Sequence, residues 1–298
     1  MYSEIAANKR QTWLLIIVVS ALLIGLIGLI GHIYGFDLGY SIIFGTILAS
    51  SFSLFSYYFS SSIALSASGA KEVSKAQAPD LYNLVENLTI ADGLPMPRIF
   101  VIDDPSPNAF ATGRDPEHAS ITFTTGLLAL LEKNELEGVA AHELSHVKNY
   151  DIRVMTVVVV LIGAIMLVAD IFLRSNMFRG RRSNDNNNAG SALLIIGLIL
   201  AILSPLFAQL IKFAISRRRE YLADASGALL TRYPAGLASA LQKISSIPQP
   251  LRTANRATAH LFIANPFGSH ATRGWFANLF STHPPLADRI ARLNEMTK

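Results

Sequence analysis

The chain has 298 residues, 51% of them hydrophobic, with 25 basic and 21 acidic side chains, a net charge of +4 and no cysteine. Without cysteine there can be no disulfide framework, no thiolate zinc site and no Cys nucleophile, so any bound metal must use His and carboxylate ligands. A mean hydropathy of +0.38 is too high for an ordinary soluble enzyme, and the basic residues sit beside apolar runs rather than in a stripe, which gives no case for nucleic acid.

The first predicted element is an apolar run from Trp13 to about Ile30, preceded by Lys9 and Arg10. It has roughly the 20 residues a bilayer crossing needs and is too long for a signal-peptide core, so it reads as an uncleaved anchor. A second and weaker run, Gly39 to Phe59, is rich in Ser, Gly and aromatics. The connection Gly31–Leu38 carries no Lys or Arg, while Lys71 and Lys75 follow the second run. The positive-inside rule then places the N-terminus and everything from Lys71 onward in the cytoplasm.

Lys71 to Tyr150 has the character of a soluble domain. Pro79 opens a helix with Leu81, Leu84, Val85 and Leu88 on one face. Pro95-Met96-Pro97 leads into a strand over 98–102, a turn covers 103–107, and two further strands, 108–113 and 119–124, flank a turn at 114–117. The exposed edge of this small sheet is either a platform for an extended peptide, added as a further strand, or purely structural.

A helix follows with Asn134 as its expected N-cap and Glu137 as the capping partner. It carries Ala141-His142-Glu143-Leu144-Ser145-His146. Residues four apart share a helix face, so His142 and His146 can aim their ring nitrogens at one metal ion. Glu143 sits where its carboxylate reaches a water on that metal, the H-E-x-x-H arrangement of zinc hydrolases.

Val154–Leu173 and Ala192–Ile211 are a third and a fourth apolar run of spanning length, separated by residues 174–191 with four arginines and an asparagine run. If both runs cross, that loop is external, against the positive-inside rule, although Lys212 and Arg217-Arg218-Arg219 behind the fourth run mark the cytoplasm. Keeping His146 and Glu220 on one side requires an even number of crossings; a hairpin that dips in without crossing also satisfies this. Pro234 starts another helix, 247–259 reads as a polar loop, and Leu286, Ile290 and Leu293 mark a last amphipathic helix.

A catalytic zinc takes three protein ligands and keeps one open position. Glu220 and Asp224, four apart on a predicted helix, are either a third ligand and the acceptor of a ligating histidine's free ring N–H, or a solvated acidic face offsetting the arginines. His32, His118, His260 and His270 lack a partner at ligand spacing and are expected at the surface.

With His142-Glu143-Leu144-Ser145-His146 and Glu220-Tyr221-Leu222-Ala223-Asp224 in this order among four apolar runs, the chain resembles the HtpX family of integral-membrane zinc metalloproteases, relatives of the CAAX prenyl proteases. The resemblance implies one zinc per chain on His142, His146 and Glu220, with Glu143 catalytic and Asp224 in support. It also implies that Asn108, with Ala109 and Phe110, holds substrate backbone, and that His283 and Arg289 stand near the transition-state oxyanion. The implied fold is mainly α with a small β-sheet, a multi-span membrane protein with a gluzincin-like metalloprotease domain. Its expected parts are two transmembrane helices in 1–69, the H-E-x-x-H part of the catalytic domain in 70–151, a membrane hairpin in 152–212, and the part with the third ligand in 213–298.

The implied activity is hydrolysis of misfolded or damaged membrane proteins at the cytoplasmic face of a bacterial inner membrane. Two competing expectations are an intramembrane protease and a zinc-binding membrane scaffold without activity. The first is disfavoured by Lys133, Glu135, Glu137, Lys148, Asn149 and Asp151 flanking the metal helix, since charges so dense belong outside the hydrocarbon layer. The second gives Glu143 no purpose.

Overall fold

The structure, a computed structural model, describes residues 2–158, 217–247, 249–254, 258–267 and 284–297. The third apolar run beyond residue 158, the fourth run, the arginine-bearing loop, His270 and His283 lie outside the described residues.

Two long helices, α1 (Tyr2–Ile33) and α2 (Leu38–Ala67), form an antiparallel hairpin, with Asp37 capping α2 through the Tyr40 amide. Both are long and apolar enough to cross a membrane. Trp13, Ile17, Ile43, Phe44, Ile47, Leu54 and Phe59 are exposed. Outward faces this apolar belong in lipid rather than water. Between the helices, Ile16, Val19 and Leu23 pack with Ala49 and Phe52, and small and hydroxyl-bearing residues allow close approach: Ser20 and Ser53 bond at 2.8 Å, and Gly45 lies against Ile24 and Ile27. Helix α2 runs beyond the predicted end at Phe59 because its last turns gain apolar packing from the chain that follows. Ala64 and Leu65 pack into a core with Phe100, Ile102 and Phe110.

That core belongs to the domain that follows the two long helices. Strands β1 (Lys71–Glu72), β2 (Arg98–Ile102), β3 (Ala109–Gly113) and β4 (Ala119–Thr124) form a mixed sheet in the order β1-β2-β4-β3, with β2 and β4 parallel. The short β1, which pairs with β2 at Lys71↔Val101, has no strand signature in the sequence. Helix α3 (Pro79–Asp92) buries Leu81, Leu84, Val85 and Leu88 as its periodicity predicts and ends on Gly93 at φ +69°.

Behind β4, α4 (Thr125–Leu130) leads into α5 (Lys133–Lys148). Its N-cap is Glu132, not Asn134. The capping box runs from Glu132 to Glu135, whose Oε2 accepts the Glu132 N–H at 2.8 Å. Tertiary contacts select this register, because Glu135 also accepts from Ser239 at 2.6 Å and Lys243 at 2.7 Å on a neighbouring helix. That helix is α7 (Pro234–Ser246), preceded by α6 (Arg217–Thr231); α8 (Leu286–Glu295) closes the domain.

Helix α5 is enclosed by α3, α6, α7 and β3. Two glycines allow the closest crossings: a Cβ on Gly138 would stand 2.7 Å from the Leu237 nitrogen, and one on Gly227 3.0 Å from the His142 nitrogen. The missing side chain of Gly227 is what lets α6 lie against the metal helix at the first histidine.

The sheet edge beside α5 is β3, and it is not exposed. All five residues are buried, and the Ile263 N–H donates to the Ala109 carbonyl at 2.9 Å. His260, expected at the surface, is buried with Nε2 3.1 Å from the Met155 carbonyl, because its segment folds back under β3. His32 and His118 are exposed as expected.

Candidate metal centre

One helical turn separates His142 from His146, and their Nε2 atoms face each other at 3.2 Å. Helix α6 brings Glu220 across them, with Oε1 3.5 Å from His146 Nε2 and Oε2 3.8 Å from His142 Nε2. One ligand atom from each of the three residues lies within 4.8 Å of the other two, and all three are buried. Of the two readings the sequence leaves open for Glu220, the solvated acidic face is therefore excluded.

The outer nitrogens settle the tautomers. His142 Nδ1 is 3.0 Å from Asp224 Oδ1, and His146 Nδ1 is 3.0 Å from Asp151 Oδ2. A ring that donates Nδ1–H to a carboxylate presents a lone pair at Nε2. The two Nε2 atoms approach to 3.2 Å because positive charge lies between them: the proton of a charged His146, or a metal ion that takes its place. Two nitrogens bound to one tetrahedral zinc would stand about 3.3 Å apart, close to the separation found. The residues fit a divalent metal.

Glu143 follows His142 on α5, buried against β3, where the Ala111 N–H donates to its carboxylate within reach of the charges of His142, His146 and Glu220. Burial raises the pKa of Glu143, and Glu220 adds to this, while His142, His146 and the Ala111 bond oppose it. The carboxylate is thus poised to accept and release a proton. Burial disfavours charge on His146, but the Asp151 hydrogen bond and the carboxylates of Glu220, Asp151 and Glu143 outweigh it and push its pKa up to about 9. A metal taken up there displaces a proton.

Arg289 on α8 is fully enclosed. Its Nε and Nη2 donate to Asp224 Oδ2 and Oδ1 at 2.9 and 2.6 Å, and its Nη1 is 3.5 Å from Glu220 Oε2. Burial alone would raise the Asp224 carboxyl, but the Arg289 charge and the bonds from His142 and Arg289 hold it below the ordinary range. Arg289 thus grips Asp224 behind His142 and reaches the carboxylate of Glu220, and its Nη2 also lies 3.4 Å from both ring nitrogens of His142.

Asn108 is buried as well. Its carboxamide Oδ1 accepts from Ala109 N at 3.1 Å and Ala264 N at 3.2 Å, and its Nδ2 donates to the Ala264 carbonyl at 3.0 Å. Phe110 packs edge-on against Phe262. These residues clamp the 258–267 segment along β3.

Asp151 is the residue that sequence reasoning missed as part of the site. Five positions beyond His146 on a continuous helix it would point elsewhere. Tyr150 adopts φ +62°, ending α5, and the chain turns so that Asp151 opens the next helical stretch, 151–158, facing His146. The only local signal is Asn149, a residue that tolerates a helix end.

A buried two-histidine, one-glutamate centre with an adjacent glutamate, in a domain hung from membrane-length helices, defines a membrane metalloprotease. The chain belongs to peptidase family M48, whose model matches residues 75–297. It is 49% identical over 297 residues to a protein named protease HtpX homolog from Dictyoglomus thermophilum, covering 99% of this chain and 94% of that one. To the protease HtpX homolog of Tropheryma whipplei strain Twist it is also 49% identical over 297 residues, covering 99% and 98%. Among solved structures it is similar to Ste24p of S. mikatae, with a TM-score of 0.49 and 16% identity across 99% of this chain and 67% of that one.

Proposed function

We propose that the protein is a zinc endopeptidase that cleaves misfolded or damaged membrane proteins, with one zinc ion held by His142, His146 and Glu220. The observation that carries this is the convergence of those three ligand atoms within 4.8 Å, each histidine tautomer being set by a carboxylate. An N/N/O ligand set suits zinc best. When bound, zinc acidifies a water molecule and polarises the scissile carbonyl.

Glu143 takes the proton of the attacking water at its carboxylate and hands it to the leaving amine. Asp224 and Asp151 hold the ligating rings in direction. Arg289 acts through Asp224 and Glu220 by balancing their charge. His283 is assigned to the developing oxyanion on family resemblance. Binding of substrate backbone is assigned to the strand that holds Asn108, Ala109 and Phe110 on family resemblance; the Ala111 N–H of that strand reaches the Glu143 carboxylate.

The N-terminus and the active site are assigned to the cytoplasmic face, with residues 152–212 as a membrane hairpin between the two halves of the catalytic domain. Supporting this are Lys9, Arg10, Lys71 and Lys75 beside the first two helices, and Arg217-Arg218-Arg219 at the start of α6.

The test is Glu143→Gln beside the wild type. Both are expected to purify with one zinc per chain, and the variant to lose casein hydrolysis by about 10²–10⁴-fold. Casein cleavage by the variant at the wild-type rate would refute the assignment.

A further inference from the structure

We propose that Asn8, on the first membrane helix, is a positioning residue for the metal centre, acting on His146 through Asp151. This rests on the zinc assignment above and extends it to the N-terminal helix. Asn8 lies at the polar end of α1, one turn before Thr12, and is buried. Its Nδ2 donates to Asp151 Oδ1 at 2.7 Å and to the Asn149 carbonyl at 2.8 Å, so both amide hydrogens are engaged. The other oxygen of the same carboxylate, Oδ2, faces His146 Nδ1 at 3.0 Å. One carboxylate thus joins a metal ligand to a membrane helix 143 residues away in sequence.

The geometry explains why the joint is an amide. A carboxylate turns readily about its Cβ–Cγ bond, and a bond to Oδ2 alone leaves it free to swing off the imidazole. Asn8 holds Oδ1 while bonding the last carbonyl before the turn, so it locks both the plane of Asp151 and the end of α5. A cation at position 8 would compete with the imidazole for Asp151, and an anion would repel it. The neighbouring Gln11 extends the contact to the other ligand-bearing helix. Its Oε1 accepts from Arg219, which precedes Glu220 and whose Nε is 3.6 Å from Asp151 Oδ1. The end of α1 therefore touches the frame of both metal-bearing helices, and seating of this helix determines how well the metal is held.

The experiment measures zinc affinity by competition with a fluorescent chelator, using full-length protein in detergent and the Glu143→Gln background to prevent self-digestion. Asp151→Ala should weaken zinc by about 10–100-fold, as loss of a histidine's supporting carboxylate does, and Asn8→Ala by about 3–10-fold. Because both act through one bond, Asn8→Ala combined with Asp151→Ala should bind no more weakly than Asp151→Ala alone. Exchanging the partners, Asn8→Asp with Asp151→Asn, should recover affinity over Asn8→Asp alone, since a donor again faces an acceptor. Melting with zinc and with chelator separates positioning from folding: the Asn8→Ala deficit should be larger with zinc present.

Affinity within twofold of the parent for Asn8→Ala, or additive losses in the double variant, overturns the proposal. If Asn8→Ala does not fold, Asn8→Ser, too short to reach Asp151, is judged by the same thresholds. Failure of the parent protein to bind zinc would instead sink the zinc assignment itself, so the two failures are distinct.

Discussion

Arg289 decides how the charges at the centre of the molecule coexist. Glu220 and Asp224 approach the same guanidinium, buried away from water, and a carboxylate in such a place is costly without a partner. A residue that only met the reacting carbonyl could be removed with little effect on folding. Arg289→Met is therefore expected to cost about 3–5 kcal/mol of stability, the range for breaking a buried pair from one side. Thermal denaturation of the purified variant checks this, and an unchanged melting temperature would return Arg289 to a purely catalytic role. The sequence did point to Arg289, by resemblance, yet it contained nothing to say that the guanidinium faces inward.

The helices obtain their positions from a few specific joints. Glu135 is the clearest, closing the capping box of α5 while accepting from Ser239 and Lys243 on α7. Burial alone would raise its pKa, but Lys243, Ser239 and the Glu132 N–H together lower it. A carboxyl with a depressed folded pKa stabilises above its unfolded value, about 4.3, and that contribution vanishes as pH falls through the folded value. Glu135→Gln should thus cost about 1 kcal/mol near pH 7, with the gap from wild type closing below pH ~4. Chemical denaturation at several pH values measures it, and a gap independent of pH would remove the charge from the explanation. The capping residue was misread from sequence for this reason: Asn134 satisfies the local preference, but contacts to a helix some hundred residues later favour Glu132 and Glu135.

At the scale of the whole molecule, a lipid-facing hairpin and a charged catalytic domain share a boundary where α1 and the end of α2 enter the domain. Because the chain has no cysteine, its orientation can be read by single-cysteine labelling without background. A cysteine at Phe36, in the exposed connection between α1 and α2, should react with a membrane-impermeant thiol reagent in intact cells. Lys75→Cys should react only after the membrane is opened. The reverse pattern would move the active site to the outer face. The two spans, the helix at Pro79 and the strands over 98–124 were legible because each is a local pattern of period, length and turn residues. The two-residue β1 and the burial of His260 were not, since neither has a local pattern and both exist only by pairing with distant chain.

The sequence by itself determined the two-histidine motif: His142, Glu143 and His146 stand in order because an α-helix repeats its face every four residues, and the same rule puts Asp224 on the face of Glu220 without deciding whether that face is solvated. Only the tertiary structure decided which carboxylate meets which imidazole, that Asp151 turns back onto His146, that β3 is covered, and that Asn8 reaches the site from the membrane helix. Within one helix, geometry is dictated by backbone hydrogen bonds between near neighbours. Between helices it depends on close packing, such as α6 against α5 at Gly227, and no spacing along the chain encodes that.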